Sequence, residues 1–135
     1  NTMKAMTLPL FVFLIGMSIC SFAQKQPDAG AVIKDFTDTS LSDSTYYELI
    51  VFDVAFDNWM TTNSRPVWYY EKEYYEAKNR NYIISWNNLV KQNMFRPPFE
   101  YEIDYEPAID YGIDLNWKLF WYFKYLEQKL GIKLI

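Results

Sequence analysis

The feature that most constrains the fold is an amphipathic pattern at residues 114–130. At about 100° per residue, one broad face of the predicted helix collects large apolar side chains, namely Leu115, Leu119, Phe120, Phe123, Leu126 and Leu130. Gly131 follows, and glycine often ends a helix because it adopts a left-handed backbone without steric cost. A face this wide has to be covered by other parts of the chain, so we expect this helix to organise the core.

The opposite face of this helix combines aromatic side chains with lysines. Trp121 and Tyr125 fall nearly opposite the apolar stripe, and Trp117 lies on its flank. Tryptophan and tyrosine beside lysine are typical of protein interfaces, so we predict an exposed anchor for a partner. The alternative is that a neighbouring part of the chain covers these rings. A membrane-spanning helix is excluded by the charges spaced through the run, at Lys118, Lys124, Glu127 and Lys129.

The start of the chain has the layout of a secretory signal peptide at residues 1–23. Lys4 supplies a basic start, Leu8 to Cys20 is free of charge, and Ser21 and Ala23 are the small residues of a cleavage site. The apolar run is shorter than the roughly 20 residues of a transmembrane helix. We therefore predict cleavage after Ala23, export, and no transmembrane helix in the mature chain.

Cys20 is the only cysteine, and it allows two interpretations. If cleavage follows Ala23, the cysteine is discarded and the protein is free in the periplasm. If cleavage precedes Cys20, the thiol becomes a lipid attachment site and the protein associates with the outer membrane. Because Ile19 stands where the processing enzyme prefers a small residue, we favour the free periplasmic form.

The residue content excludes several functions. Histidine is absent and no cysteine follows Ala23, which excludes the usual zinc and copper sites and the Ser-His and Cys-His nucleophile pairs. Cleavage would remove one lysine from 13 basic residues and none of the 17 acidic residues, leaving a net charge near −5. We therefore expect no nucleic-acid binding, which needs a basic face, and we expect no cofactor.

The remaining chain divides into a leader and one domain. Residues 24–45 are polar, with few apolar side chains, and are predicted to be a flexible leader. The domain is predicted at residues 46–135. An apolar run from Leu49 to Phe52 suits a buried strand, after which Asp53 is expected to cap a turn or one helical turn. Helical spacing then covers residues 67–92.

Strict alternation over residues 99–107 predicts a second strand with one apolar and one acidic face. The acidic side chains allow three roles: a solvated edge that prevents pairing with another sheet, a calcium site or a carboxylate pair for glycoside hydrolysis. We favour the solvated edge. The weak candidates for metal ligands are Glu100, Glu102, Asp104 and Glu106.

Together these elements follow a β-α-β-α order, with room for a short last strand at residues 132–135. Helices that alternate with short strands have to bury one face against the sheet. We therefore expect an α+β fold, a small two-layer domain with its helices packed on a small sheet.

A cluster of amides, a cation and an aromatic ring lies in the middle helix. Asn79, Arg80 and Trp86 could recognise a sugar or a peptide backbone, because they offer fixed donors beside a stacking ring. Amides also break helices and fasten loops, so a structural role for the cluster, with a helix break at residues 79–81, stays open.

Three stretches resemble an uncharacterised family of small exported bacterial proteins. They are "YELIVFDVAFDNW", "YYEAKNRNYIISWN" and "IDYGIDLNWKLFWYF". The resemblance spans roughly residues 46–135 and implies an envelope location. It implies no activity, cofactor or catalytic residue.

These observations favour a non-enzymatic exported protein that binds another component of the cell envelope, expected to be a protein, through an aromatic surface. The residues predicted to form that surface are Trp117, Trp121, Tyr125, Asn79, Arg80 and Trp86. The alternative is a small carbohydrate-active or cation-binding protein that uses the acidic residues 100–106, and catalysis therefore stays open.

Overall fold

The computed structural model describes residues 30–38 and 44–135. The predicted signal peptide, its cleavage site and Cys20 lie outside the described residues. Two strands and three α-helices make up the described chain, together with one short 3₁₀ turn. They are β1 (Ala31–Asp38), β2 (Ser44–Val51), α1 (Val54–Asn63), the 3₁₀ turn (Val67–Tyr69), α2 (Lys72–Gln92) and α3 (Gly112–Leu130). The predicted α+β class is confirmed.

The sheet is an antiparallel pair in which Ala31 lies opposite Val51. β2 contains the predicted apolar run, and its Leu49 is 1% exposed. β1 falls inside residues 24–45, so the prediction of a flexible leader is wrong for this strand. The polar composition of this segment hid the strand, because only a few of its side chains pack inward: Ala31 is buried and Ile33 packs against the core.

Asp53 lies between β2 and α1 and caps the start of the helix. Its carboxylate Oδ1 accepts a hydrogen bond of 3.0 Å from the backbone N–H of Ala55, as an N-cap does. The capping role is therefore confirmed, although a full helix of 10 residues follows instead of a single turn. The helix persists because Phe56 is fully buried beneath it.

The long middle helix differs from its prediction in two places. Tyr70 and Glu71 have extended backbones and separate the 3₁₀ turn from α2. By contrast, α2 continues without interruption through residues 79–81. Burial explains the continuity, because Tyr75, Tyr82 and Val90 form one inward stripe on both sides of that stretch.

The predicted second strand at residues 99–107 is wrong, because residues 100–106 pair with no strand of the described chain. Their extended backbone is fastened to α2 by side chains instead. Trp86 Nε1 donates to the carbonyl of Tyr101 at 2.8 Å. Asn87 both donates to the carbonyl of Ile103 at 3.0 Å and accepts from its N–H at 2.9 Å. We call residues 99–106 the strap.

The end of the chain forms no last strand. Gly131 ends α3 in the left-handed conformation at φ 63°, as predicted. Leu134 is buried, and its backbone N–H donates to Glu127 Oε1 at 2.8 Å. The backbone of this tail is therefore satisfied by a side chain of α3 and needs no strand partner.

The core is centred on α3, as its apolar stripe predicts. Leu119, Phe123 and Leu126 are completely buried, and Phe123 stacks on Tyr82 of α2 at 5.0 Å. Lys118 joins α3 to the sheet by donating to the carbonyl of Leu49 at 3.0 Å. Among the described helices, none is long and apolar enough to cross a bilayer.

Candidate functional site

Most of the predicted binding residues lie inside the protein. Asn79 is 0%, Trp86 1% and Tyr125 6% exposed. These three side chains are therefore part of the packed interior, and the prediction that they form a binding surface is wrong. Trp117 and Trp121 are half-buried, and Arg80 alone among the six is exposed.

Tyr125 is buried because α1 packs on the back face of α3. Its ring lies 5.5 Å from the ring of Phe56 and 5.4 Å from that of Trp59. Its hydroxyl donates to Asp53 Oδ2 at 2.6 Å, and Lys129 Nζ donates to the same oxygen at 2.5 Å. The face predicted as an exposed anchor is thus a joint between α1 and α3.

The carboxylate of Asp53 is held in its charged form. Burial alone would raise the pKa of Asp53, but hydrogen bonds from Lys129, Tyr125 and the N–H of Ala55 outweigh burial and lower that pKa below its ordinary value. A lowered folded-state pKa stabilises the protein above the unfolded-state pKa, and this contribution is lost as the pH falls through the folded-state pKa.

Asp53→Asn should therefore destabilise the protein by about 1.5–3 kcal/mol at neutral pH, the range for hydrogen bonds to a charged group. Asparagine keeps an oxygen for the helix cap but not the second carboxylate oxygen, so the loss reports the hydrogen bonds from Tyr125 and Lys129 together with the charge. The difference from wild type should shrink below about pH 4, near the ordinary pKa of aspartate. Urea denaturation across pH measures it. Asp57→Asn, an exposed acid in the same helix, is the matched control, and an equal pH dependence in both variants would contradict the assignment.

Asn79 belongs to a buried polar network between α2 and α3. Its Nδ2 donates to the carbonyl of Asn116 at 2.9 Å and to its Oδ1 at 3.1 Å. Tyr105 of the strap donates to the same Oδ1 at 2.9 Å, and burial raises the pKa of Tyr105 to about 12. The structural interpretation of this amide therefore holds, because its donors are used inside the fold.

The acidic residues of the strap do not gather into a metal site. Within the described ranges, no three His, Cys, Asp or Glu side chains lie close enough together to hold a metal ion. Glu102 instead pairs with Lys91 at 3.1 Å. Asp104 and Glu106 line a shallow pocket together with Asp35 of β1. No contact among the described residues joins them to Glu100 or Glu102, so the four acids of the strap do not act as one ligand set.

A groove opens between α2 and α3 on the described surface. It encloses about 410 Å³. Aromatic rings, two lysines and one amide line it, with Ile135 at its edge: Tyr70, Tyr74, Lys78, Asn81, Tyr82, Phe120, Trp121, Lys124 and Ile135. We call it the aromatic groove. Its described lining contains no carboxylate, serine or thiol.

The floor of the aromatic groove is a connected set of rings. Tyr70 stacks on Tyr74 at 4.1 Å, and Phe120 meets Tyr74 edge-on at 6.1 Å. Trp121 in turn meets Phe120 edge-on at 5.3 Å. Rings that support one another in this way hold their positions without a ligand, so the groove is pre-formed.

Both lysines lie over rings of this floor. Lys78 Nζ is 5.8 Å from the centre of Tyr74, and Lys124 Nζ is 5.4 Å from the centre of Tyr82. Burial lowers the pKa of Lys124, but its hydrogen bond with Tyr82 and the charge of Glu127 outweigh burial and raise it. The ammonium of Lys124 is therefore charged at neutral pH.

The sequence contained a local signal for this site that the initial prediction missed. Lys78 follows Tyr74 by four positions, and Lys124 follows Phe120 by four. On a helix this spacing places the two side chains of a pair side by side. The prediction identified Trp121, but it assigned that ring to an exposed back face rather than to the rim of a groove.

Comparison with known proteins places the chain in a family. A search of curated proteins and a search of solved structures returned no significant match. A protein-family comparison matches residues 7–135, nearly the whole chain, to a family of unknown function. The protein therefore belongs to the DUF6146 family.

Proposed function

We propose that this protein is a non-enzymatic component of the cell envelope that binds a segment of another envelope protein in the aromatic groove. The observation that supports the proposal is the groove itself, which is pre-formed, floored by rings and rimmed by two ammonium groups. Pockets of about 300–1,000 Å³ with mostly aromatic walls and few polar groups are typical of binding sites.

The groove favours binding over catalysis because of what lines it. Acid–base and nucleophilic catalysis both need a polar pair within hydrogen-bonding reach. The described lining offers no carboxylate, serine or thiol side chain, and its one polar pair, Lys124 with Tyr82, contains a tyrosine that is only 1% exposed. The strap gives little support for a cation-binding role, because no three potential metal ligands lie together within the described residues.

The envelope location rests on the first 23 residues. Their basic start, charge-free run and small residues before position 24 are the features that export machinery recognises. We propose a free periplasmic protein, with lipid attachment at Cys20 and association with the outer membrane as the alternative.

Site-specific photo-crosslinking tests the proposed function. A photoreactive phenylalanine analogue replaces Tyr74, which lies in the groove and is 37% exposed. The matched control places the same analogue at Met94, which is 72% exposed near the far end of α2, about 30 Å away at 1.5 Å per residue.

Irradiation in the source organism should yield one dominant adduct from position 74, identified by mass spectrometry as an envelope protein, and not from position 94. Equal adducts at both positions, or none from position 74, would contradict the proposal.

A further inference from the structure

The charges of the aromatic groove indicate what kind of segment it binds. The chain as a whole is acidic, with 17 acidic against 13 basic residues. Within the groove this balance is reversed, because both charged residues that line it, Lys78 and Lys124, are cations. A cationic site on an acidic protein favours an anionic ligand over a cationic or neutral one.

The fold satisfies the two lysines to different degrees. Lys124 pairs with Glu127 at 3.5 Å and also hydrogen-bonds with Tyr82. Lys78 has no carboxylate oxygen within 4.0 Å among residues 30–38 and 44–135, and its described contact is with the ring of Tyr74. Each ammonium group carries three N–H donors. A ring face attracts the charge but accepts no hydrogen bond as strong as one to an anion. Lys78 therefore keeps its donors for a ligand, and Lys124, which has three donors and two partners, keeps one.

The geometry of the tyrosine rings favours a peptide over a sugar polymer as the ligand of the groove. Sugar recognition on aromatic residues uses an open ring face. One face of Tyr74 is stacked on Tyr70, and Lys78 lies over the ring as well. Tyr82 likewise stacks on Phe123 and lies beneath Lys124. Tyr74, which is 37% exposed, therefore offers a ring edge and a hydroxyl, which suit apolar side chains and backbone carbonyls of a peptide.

We propose that the aromatic groove binds an acidic peptide segment, whose carboxylates pair with Lys78 and Lys124 and whose backbone bonds the amide of Asn81. This inference rests on the proposed function and specifies the chemistry of the partner. Charge-assisted hydrogen bonds between ammonium and carboxylate provide the affinity. The supported rings provide a floor that loses little entropy on binding.

The test uses rhodamine-labelled hexaglutamate and fluorescence anisotropy with the full protein. We expect saturable binding that weakens at high salt, because the pairing lies at the surface. The double variant Lys78→Gln/Lys124→Gln should lose about tenfold or more in affinity, whereas Lys34→Gln, an exposed lysine of β1 outside the groove, should bind as wild type. Thermal melting checks that the variants fold.

Labelled hexalysine and a tetragalacturonate are the competing probes. Tighter binding of the acidic sugar than of hexaglutamate would overturn the assignment to a peptide, and equal binding by the double variant would overturn the role of the lysines. The crosslink at position 74 keeps the two proposals distinct. If the envelope protein is still captured by the double variant, the acidic-segment inference fails while the proposed function stands.

Discussion

Replacing Trp86 by alanine should destabilise the protein by about 3–5 kcal/mol, the range for a large ring lost from a core. The side chain is 1% exposed and packs against Phe99 at 5.4 Å between ring centroids. Its Nε1 also satisfies the carbonyl of Tyr101, which would lose its partner. Since domains are stable by about 5–15 kcal/mol, much of the folding free energy would disappear, as urea denaturation can measure.

Trp68→Ala is the matched control for this experiment. Trp68 is 77% exposed, so its removal should change stability by no more than about 0.5 kcal/mol. If Trp86→Ala were as mild as this control, the ring would not belong to the core. The sequence-based assignment of Trp86 to a binding surface would then be restored.

Tyr125→Ala is expected to cost a similar amount, about 3–5 kcal/mol, because it removes the ring that joins α1 to α3. The comparison with Tyr125→Phe separates packing from hydrogen bonding. Phenylalanine keeps the contacts with Phe56 and Trp59 and loses only the bond to Asp53, so it should cost about 1–3 kcal/mol.

Chemical denaturation of both Tyr125 variants provides the measurement. A near-wild-type stability for Tyr125→Ala would mean that α1 does not cover this face of α3. Tyr125 would then be available at the surface, as the amphipathic pattern alone had suggested.

The sequence was most informative where a pattern depends on neighbours along one helix. The stripe through Leu119, Phe123 and Leu126 predicts both the helix and its buried face, because side chains three and four apart share a face whatever the rest of the fold does. Gly131 is equally local, since its left-handed backbone is a property of one residue.

The sequence was least informative where a partner lies far along the chain. Alternation at residues 99–107 shows that Ile103 points inward, and it is indeed 2% exposed. The same alternation cannot show whether the backbone of Ile103 pairs with a strand or with Asn87, because both satisfy the same N–H and carbonyl.

The predicted exposure of the binding residues was wrong for the same reason. The aromatic back face of α3 has the composition of an interface, and only the position of α1, 60 residues earlier in the chain, decides that Tyr125 is covered. The lysines of the groove show the converse case, in which a local pattern is visible but the site it belongs to is not. Their spacing after Tyr74 and Phe120 is local, but the groove exists only because α2 and α3 lie side by side.

The strap also limits how the sequence of this region can change in length. Connecting segments usually accept insertions, since the entropic cost of a longer loop grows slowly. Here consecutive residues of α2, Trp86 and Asn87, hold Tyr101 and Ile103 at a fixed spacing. A residue added between those two positions would bring the wrong backbone groups to the helix, so the strap is a poor place for a tag or a graft, although it contains neither helix nor strand.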